Sequence, residues 1–175
     1  MEFNQEHNLV IRSYLNFQLS LALDSASFLE SDFFKNNIKL TDIQKDLLFK
    51  VKIGNQARLL STLYELLIVP KETLKELTEN NAFDELEKII ASIASRKEST
   101  YKSDKYGIEF IRHLRNAVAH ANVKFTENNC VEFYDQNPRN EKEKCVFEIP
   151  LSNMMKVIDG LIEVLNKYYY PEKNN

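Results

Sequence analysis

Gly54, Gly107 and Gly160 are the chain's three glycines, and each stands alone. A usual share of about 7% would give roughly twelve in a chain of this length. Phosphate-cradling backbone loops need several glycines close together, so a dinucleotide-binding GxGxxG turn, a Walker-type loop and a kinase-type lid are excluded. An all-β fold, which needs turn residues at short regular intervals, is disfavoured for the same reason. Any phosphate chemistry must come from side chains.

The 175 residues suit a single domain spanning 1–175 with a core of its own. The net charge is −3, so contact with nucleic acid would need a local basic patch. The first residues lack a basic stretch followed by an apolar run, and no run of about 18 apolar residues occurs. The expectation is a cytoplasmic chain without a membrane span. Cys130 and Cys145 are too few for a disulfide scaffold and read as reduced packing residues. With His7, His113 and His120 they form no metal-binding spacing, so no metal or other cofactor is expected.

Hydrophobic spacing of three and four recurs along most of the chain. Over 9–29, Val10, Tyr14, Phe17, Leu21 and Phe28 form one stripe, and Ile11, Leu15, Leu19, Ala22, Ala26 and Leu29 a second. A helix so widely apolar packs against more than one neighbour, and a second chain is one candidate. Thr41-Asp42-Ile43-Gln44 matches a capping box and predicts a long helix to about Val69. Pro70 stops it or starts a short helix over 71–79. Phe83, Leu86, Ile90 and Ile93 predict a further helix, and 96–103 reads as a polar, mobile loop. Ser103 or Asp104 can cap the helix that follows. Beyond Ala121 three alternating runs, 123–126, 131–134 and 145–149, predict a β-meander over about 122–149. A last amphipathic helix follows over about 151–170. The predicted fold is mainly α: a bundle of about five to six helices, with a small antiparallel meander inserted before the C-terminal helix.

The segment Gly107–Asn122 reads GIEFIRHLRNAVAHAN. Phe110, Ile111, Leu114, Ala117, Val118 and Ala121 make a clean core face. Glu109, His113, Asn116 and His120 form a polar stripe beside it, flanked by Arg112 and Arg115. From Lys102 to Lys124 five basic residues stand against two acidic ones, a local charge of +3. Histidine moves protons near neutral pH, and arginine matches and stabilises phosphate oxygens. Together they suffice for RNA cleavage in which the 2′-hydroxyl is the nucleophile. The same residues also read as a plain polar helix edge, with His120 favourable at the helix C-terminus, Asn122 a C-cap and His113 a surface or capping residue.

Arg115-Asn116-Ala117-Val118-Ala119-His120 resembles the RNxxxH signature, more broadly R-x(4–6)-H, of the HEPN superfamily. These are small helical domains of prokaryotic toxin–antitoxin, abortive-infection and other defence systems. The run HLRNAVAHANVKF, leading to Asp135-Gln136-Asn137-Pro138, is similar to compact defence-associated HEPN nucleases, most strongly over about 105–170. The resemblance implies a metal-independent endoribonuclease, a toxin or phage-defence effector. Arg115 and His120 would be its catalytic pair and Asn116 their orienter. Arg112, His113, Glu109 and Lys124 are weaker substrate-binding candidates. RNA, a second copy of the chain and a cognate antitoxin are the implied partners. Two alternatives stand beside it: a non-catalytic HEPN interaction or antitoxin-like module, and a helical small-molecule or nucleotide binder. HEPN toxins modified by a partner nucleotidyltransferase typically carry tyrosine two residues after the histidine. Here Asn122 stands there, which puts such regulation in doubt.

Arg115 and His120 are five residues apart, so an ideal helix splays them by roughly 140°. Either the helix ends before His120, or the arginine wraps round, or two chains build one site. The last option predicts a two-fold dimer with both motifs facing one cleft.

Overall fold

The structure, a computed structural model, describes residues 5–79 and 81–169. Among them are eight α-helices and one four-stranded antiparallel sheet. The helices are α1 (Gln5–Ser25), α2 (Asp32–Asn37), α3 (Asp42–Val51), α4 (Gln56–Leu67), α5 (Lys71–Glu79), α6 (Asp84–Ile93), α7 (Phe110–Ala119) and α8 (Met154–Tyr169). The strands are β1 (Arg96–Ser99), β2 (Val123–Phe125), β3 (Cys130–Gln136) and β4 (Lys144–Pro150), in the order β1-β4-β3-β2. The mainly α architecture with its meander ahead of the last helix is as expected. No described helix is long and apolar enough to cross a membrane.

Several local expectations need correction. The long helix from Thr41 to Val69 is two helices. The capping box at Thr41 forms as expected, but α3 stops at Val51, where Lys52 takes φ 66°. Asn55 then caps α4, its Oδ1 accepting from the Arg58 amide at 3.1 Å. Gly54 therefore sits in the turn between the helices rather than inside one. Its amide and that of Ile53 donate to the Asp24 carboxylate at 2.6 and 3.0 Å, and a Cβ there would come 2.9 Å from Leu21 Cδ2. Close approach is its use, against the end of α1.

The supposed loop over 96–103 holds β1 and a 3-10 helix, Lys102–Tyr106. The strand has no apolar alternation of its own. It is an edge strand defined by backbone pairing, with Arg96 opposite Glu148 and Ser99 opposite Cys145. Gly107 ends the 3-10 helix and precedes α7, and a short helix α2 follows α1.

One apolar core joins α1, α4, α6, α7, α8 and the sheet's inner face. On that face Val131, Phe133 and Asp135 alternate along β3, and Cys145, Phe147 and Ile149 along β4. Phe110 of α7 meets Phe147 edge-on at 5.2 Å, so the motif helix lies directly on the sheet. Gly160 lets α8 close on α6: a Cβ there would lie 2.6 Å from Leu86 Cδ1. On the outer side of α1, Leu15 and Leu19 are each 56% exposed. Tyr168 and Tyr169, at the end of α8, bond Glu76 and Thr73 of α5; Tyr170 lies outside the described residues.

Candidate functional site: the motif helix and its buried ion network

The N-terminus of α7 is capped from another helix. Glu87 of α6 accepts from the amides of Phe110 and Ile111 at 2.7 and 2.9 Å, placing a carboxylate at the positive end of the helix dipole. Burial raises the Glu87 pKa, and the two amide bonds only partly offset it. Neither Ser103 nor Asp104 caps the helix, and Glu109, at the N-cap position, makes no side-chain cap bond.

The polar stripe expected along α7 divides in two. His113 faces inward and is 0% exposed. Its Nδ1 lies 2.6 Å from Asp135 Oδ2 on β3, and its Nε2 lies 2.8 Å from Asp104 Oδ2 in the 3-10 helix. Asp104 also receives Ser99 Oγ and Arg112 Nη2, the latter at 2.7 Å. Asp135 receives Tyr101 Oη at 3.0 Å and Asn116 Nδ2 at 3.2 Å. The Arg112 guanidinium lies over the Tyr101 ring, 5.2 Å from its centre. Arg112 Nη2 is also 3.0 Å from His113 Nε2, a contact of two donors held together by Asp104.

Two carboxylates and two cations thus balance inside one cluster. Burial alone would lower the His113 pKa, but Asp135, Cys145 and Asp104 outweigh it and raise it to about 10. Burial likewise works to raise Asp104 and Asp135. The bonds from Ser99 and His113 hold the first below the usual range, and those from His113, Asn116 and Tyr101 hold the second there. His113 is therefore a protonated imidazolium donating from both nitrogens. It is no surface or capping residue, and in this state no substrate reaches it. Asp104, His113 and Cys145 are also the residues that could take a cation, with donor atoms within 4.8 Å of one another. A metal ion there would have to replace a ring-nitrogen proton of His113.

The other motif residues lie outward. Asn116 is half-buried, turned toward Asp135. Arg115 is half-buried, and its guanidinium has no hydrogen-bond or ion-pair partner among the described residues. It lines a pocket of about 720 Å³ beside Arg112, Glu109 and Ser103. Arg112 Nε approaches Glu109 Oε2 at 3.0 Å, a charge contact without hydrogen-bond alignment. Lys124 is exposed on β2, opposite Glu132.

The His120 side chain is exposed and has no partner among the described residues, one place beyond the last residue of α7. The helix does end before His120, the first of the three options. Its amide still donates to the Asn116 carbonyl at 3.0 Å, so it continues the same spiral. No hydrogen bond joins Arg115 to His120 among the described residues. The chain then turns away: Ala121 has φ 54°, its amide donates to Val118, and that of Asn122 to Ala117 at 2.8 Å. This is a Schellman motif with alanine where glycine is usual.

Periodicity along α7 did not reveal Asp104, Asp135, Tyr101 or Glu87. One signal for Asp135 was present. It continues the inward set Val131, Phe133, and a carboxylate on a core face requires a cation.

No curated protein and no solved structure matches the chain. A family model described as HEPN pEK499 p136 matches residues 4–172, nearly the whole length and all of α7, the ion network and the sheet, so the chain belongs to that HEPN family.

Proposed function

We propose that the protein is a metal-independent HEPN endoribonuclease of a toxin or phage-defence system, working in the cytoplasm as a dimer, with a cognate antitoxin as a further partner. The observation that carries this reading is the division of labour on α7. His113 is consumed by two carboxylates, whereas Arg115 and His120 stand unpaired at the accessible end of the helix. In the proposed reaction the RNA 2′-hydroxyl loses its proton and attacks phosphorus. The P–O5′ bond breaks, and the departing 5′-oxygen takes up a proton, leaving a 2′,3′-cyclic phosphate and a 5′-hydroxyl. His120 moves protons, Arg115 clamps the phosphate and Asn116 orients the pair.

That reaction needs both a base and an acid, and each chain offers one available histidine on this helix. A second copy supplies the other, which also answers the splay between Arg115 and His120. The groove beside the motif's end supports such pairing. It is lined by Leu60, Tyr64, Val118, Ala121 and Val123, and Tyr64 is exposed.

The test is cleavage of single-stranded RNA in excess chelator by wild type, His120→Ala and Arg115→Ala, with growth arrest on expression as a parallel readout. Loss of at least about 100-fold in both variants is expected. Equal behaviour of folded wild type and variants would sink the reading. A monomer by light scattering at micromolar concentration would remove the composite site.

A further inference from the structure

The pocket that Arg115 lines holds a second feature, Tyr106. This side chain is 92% exposed, and its only ring partner among the described residues is the neighbouring Lys105 ammonium, 5.4 Å from the ring centre. A tyrosine so bare offers the ring face away from Lys105 for stacking. It closes one side of the 720 Å³ space between the α5–α6 turn, the 3-10 helix and α7, a volume in the range of small-ligand pockets. Two cations on the walls, Arg115 and Lys75, have no partner among the described residues.

We propose that this pocket is a nucleotide subsite, in which the base of one unpaired RNA nucleotide stacks on Tyr106 while its phosphate meets Arg115. The assignment rests on the ribonuclease reading for its place in the reaction, and it names what that site grips. The other groups on the walls narrow the ligand. Glu87 already fills the amides at the start of α7, so no phosphate docks on that helix terminus. Arg112 is committed to Asp104, and the carboxylates of Asp84 and Glu109 also face the space. With Glu87, three carboxylates stand there against two free cations, which disfavours a polyphosphate. A single phosphodiester carrying an aromatic base meets one guanidinium and one ring. Base-on-aromatic stacking is tolerant of sequence and needs an unpaired base, because a paired base has its faces covered by its neighbours.

The test is fluorescence anisotropy with a labelled single-stranded RNA ten-mer and the full chain carrying His120→Ala, which separates binding from cleavage. Adding Tyr106→Ala is expected to weaken binding about tenfold, the usual loss for one stacked base. Tyr106→Trp should restore it, and duplex RNA of the same sequence should show no such difference. Unchanged single-strand affinity in Tyr106→Ala overturns the subsite, as does absence of RNA binding by the parent. A dimer that dissociates in Tyr106→Ala, seen by light scattering, overturns it too by making Tyr106 an interface residue. The two readings fail separately: wild-type cleavage with unaltered Tyr106→Ala binding removes only the subsite. Tyr106-dependent binding without any cleavage removes only the nuclease.

Discussion

His113 Nδ1 sits 2.6 Å from Asp135 Oδ2, and this one contact ties the motif helix to the middle of the sheet. Through the same carboxylate, Asn116 and Tyr101 are tied as well. Removing the imidazolium would leave two buried carboxylates with one cation between them, Arg112 on Asp104. His113→Ala should therefore destabilise the fold by about 3–5 kcal/mol, the cost of breaking a buried ion pair from one side. His120→Ala, at an exposed helix end, should stay within about 0.5 kcal/mol of wild type. Urea denaturation of the two variants checks this. Similar destabilisation by both would mean that His113 is not clamped as described.

The same cluster sets a pH window. The folded pKa of His113, about 10, lies above its ordinary value of 6.5, so its contribution is fully present below about 6.5 and is lost as pH rises through 10. Asp104 and Asp135 are lowered from 3.8, so their contribution is present above that value and is lost as pH falls through the folded pKa values. The network should stabilise most between about pH 4 and 6.5. Urea midpoints measured from pH 3 to 10 should decline on the alkaline side in wild type, and His113→Ala should flatten that decline. An alkaline limb of equal slope in both would refute the assignment.

The match between pattern and fold is instructive where it breaks. The core face of α7 and the alternation in β3 and β4 are visible in the residues, because each element buries one face and its period shows it. The break at Lys52–Asn55 is hidden, because Leu47, Leu48, Val51, Leu59 and Leu63 keep helical spacing across it. Its cause lies in Asp24, thirty residues away, which fixes the turn through two amides. β1 is hidden for a different reason: Arg-Lys-Glu-Ser has no buried side and becomes a strand only through the backbone of β4. At the candidate site the motif itself was readable, whereas the contrast between His113 and His120 was not. Both stand on the polar stripe, and only the long-range partners Asp104 and Asp135 distinguish them.

Gly160 gives a packing test away from the motif. Alanine is worth about 1 kcal/mol over glycine inside an exposed helix. Here its Cβ would meet Leu86 Cδ1 at 2.6 Å, and Leu86 is itself buried between α6 and α8. Overpacking should outweigh propensity, leaving Gly160→Ala less stable by about 1–2 kcal/mol. A higher melting temperature would show that Leu86 has room to turn aside.

Ala121 permits the opposite experiment one residue beyond His120. Its φ of 54° places an ordinary side chain in the left-handed region, where alanine costs roughly 1–2 kcal/mol and glycine costs nothing steric. Glycine also enlarges the entropy of the unfolded chain, which returns part of that gain. Ala121→Gly should therefore stabilise the protein by about 0.5–1 kcal/mol in urea denaturation, and the Val118 and Ala117 carbonyls should keep their partners. An unchanged or lowered stability would contradict the left-handed turn. The variant also separates the turn's two roles. If it only ends α7, RNA cleavage by Ala121→Gly should match wild type. Strain kept in order to present His120 predicts a lower cleavage rate in a more stable protein, the trade expected of a backbone held for function.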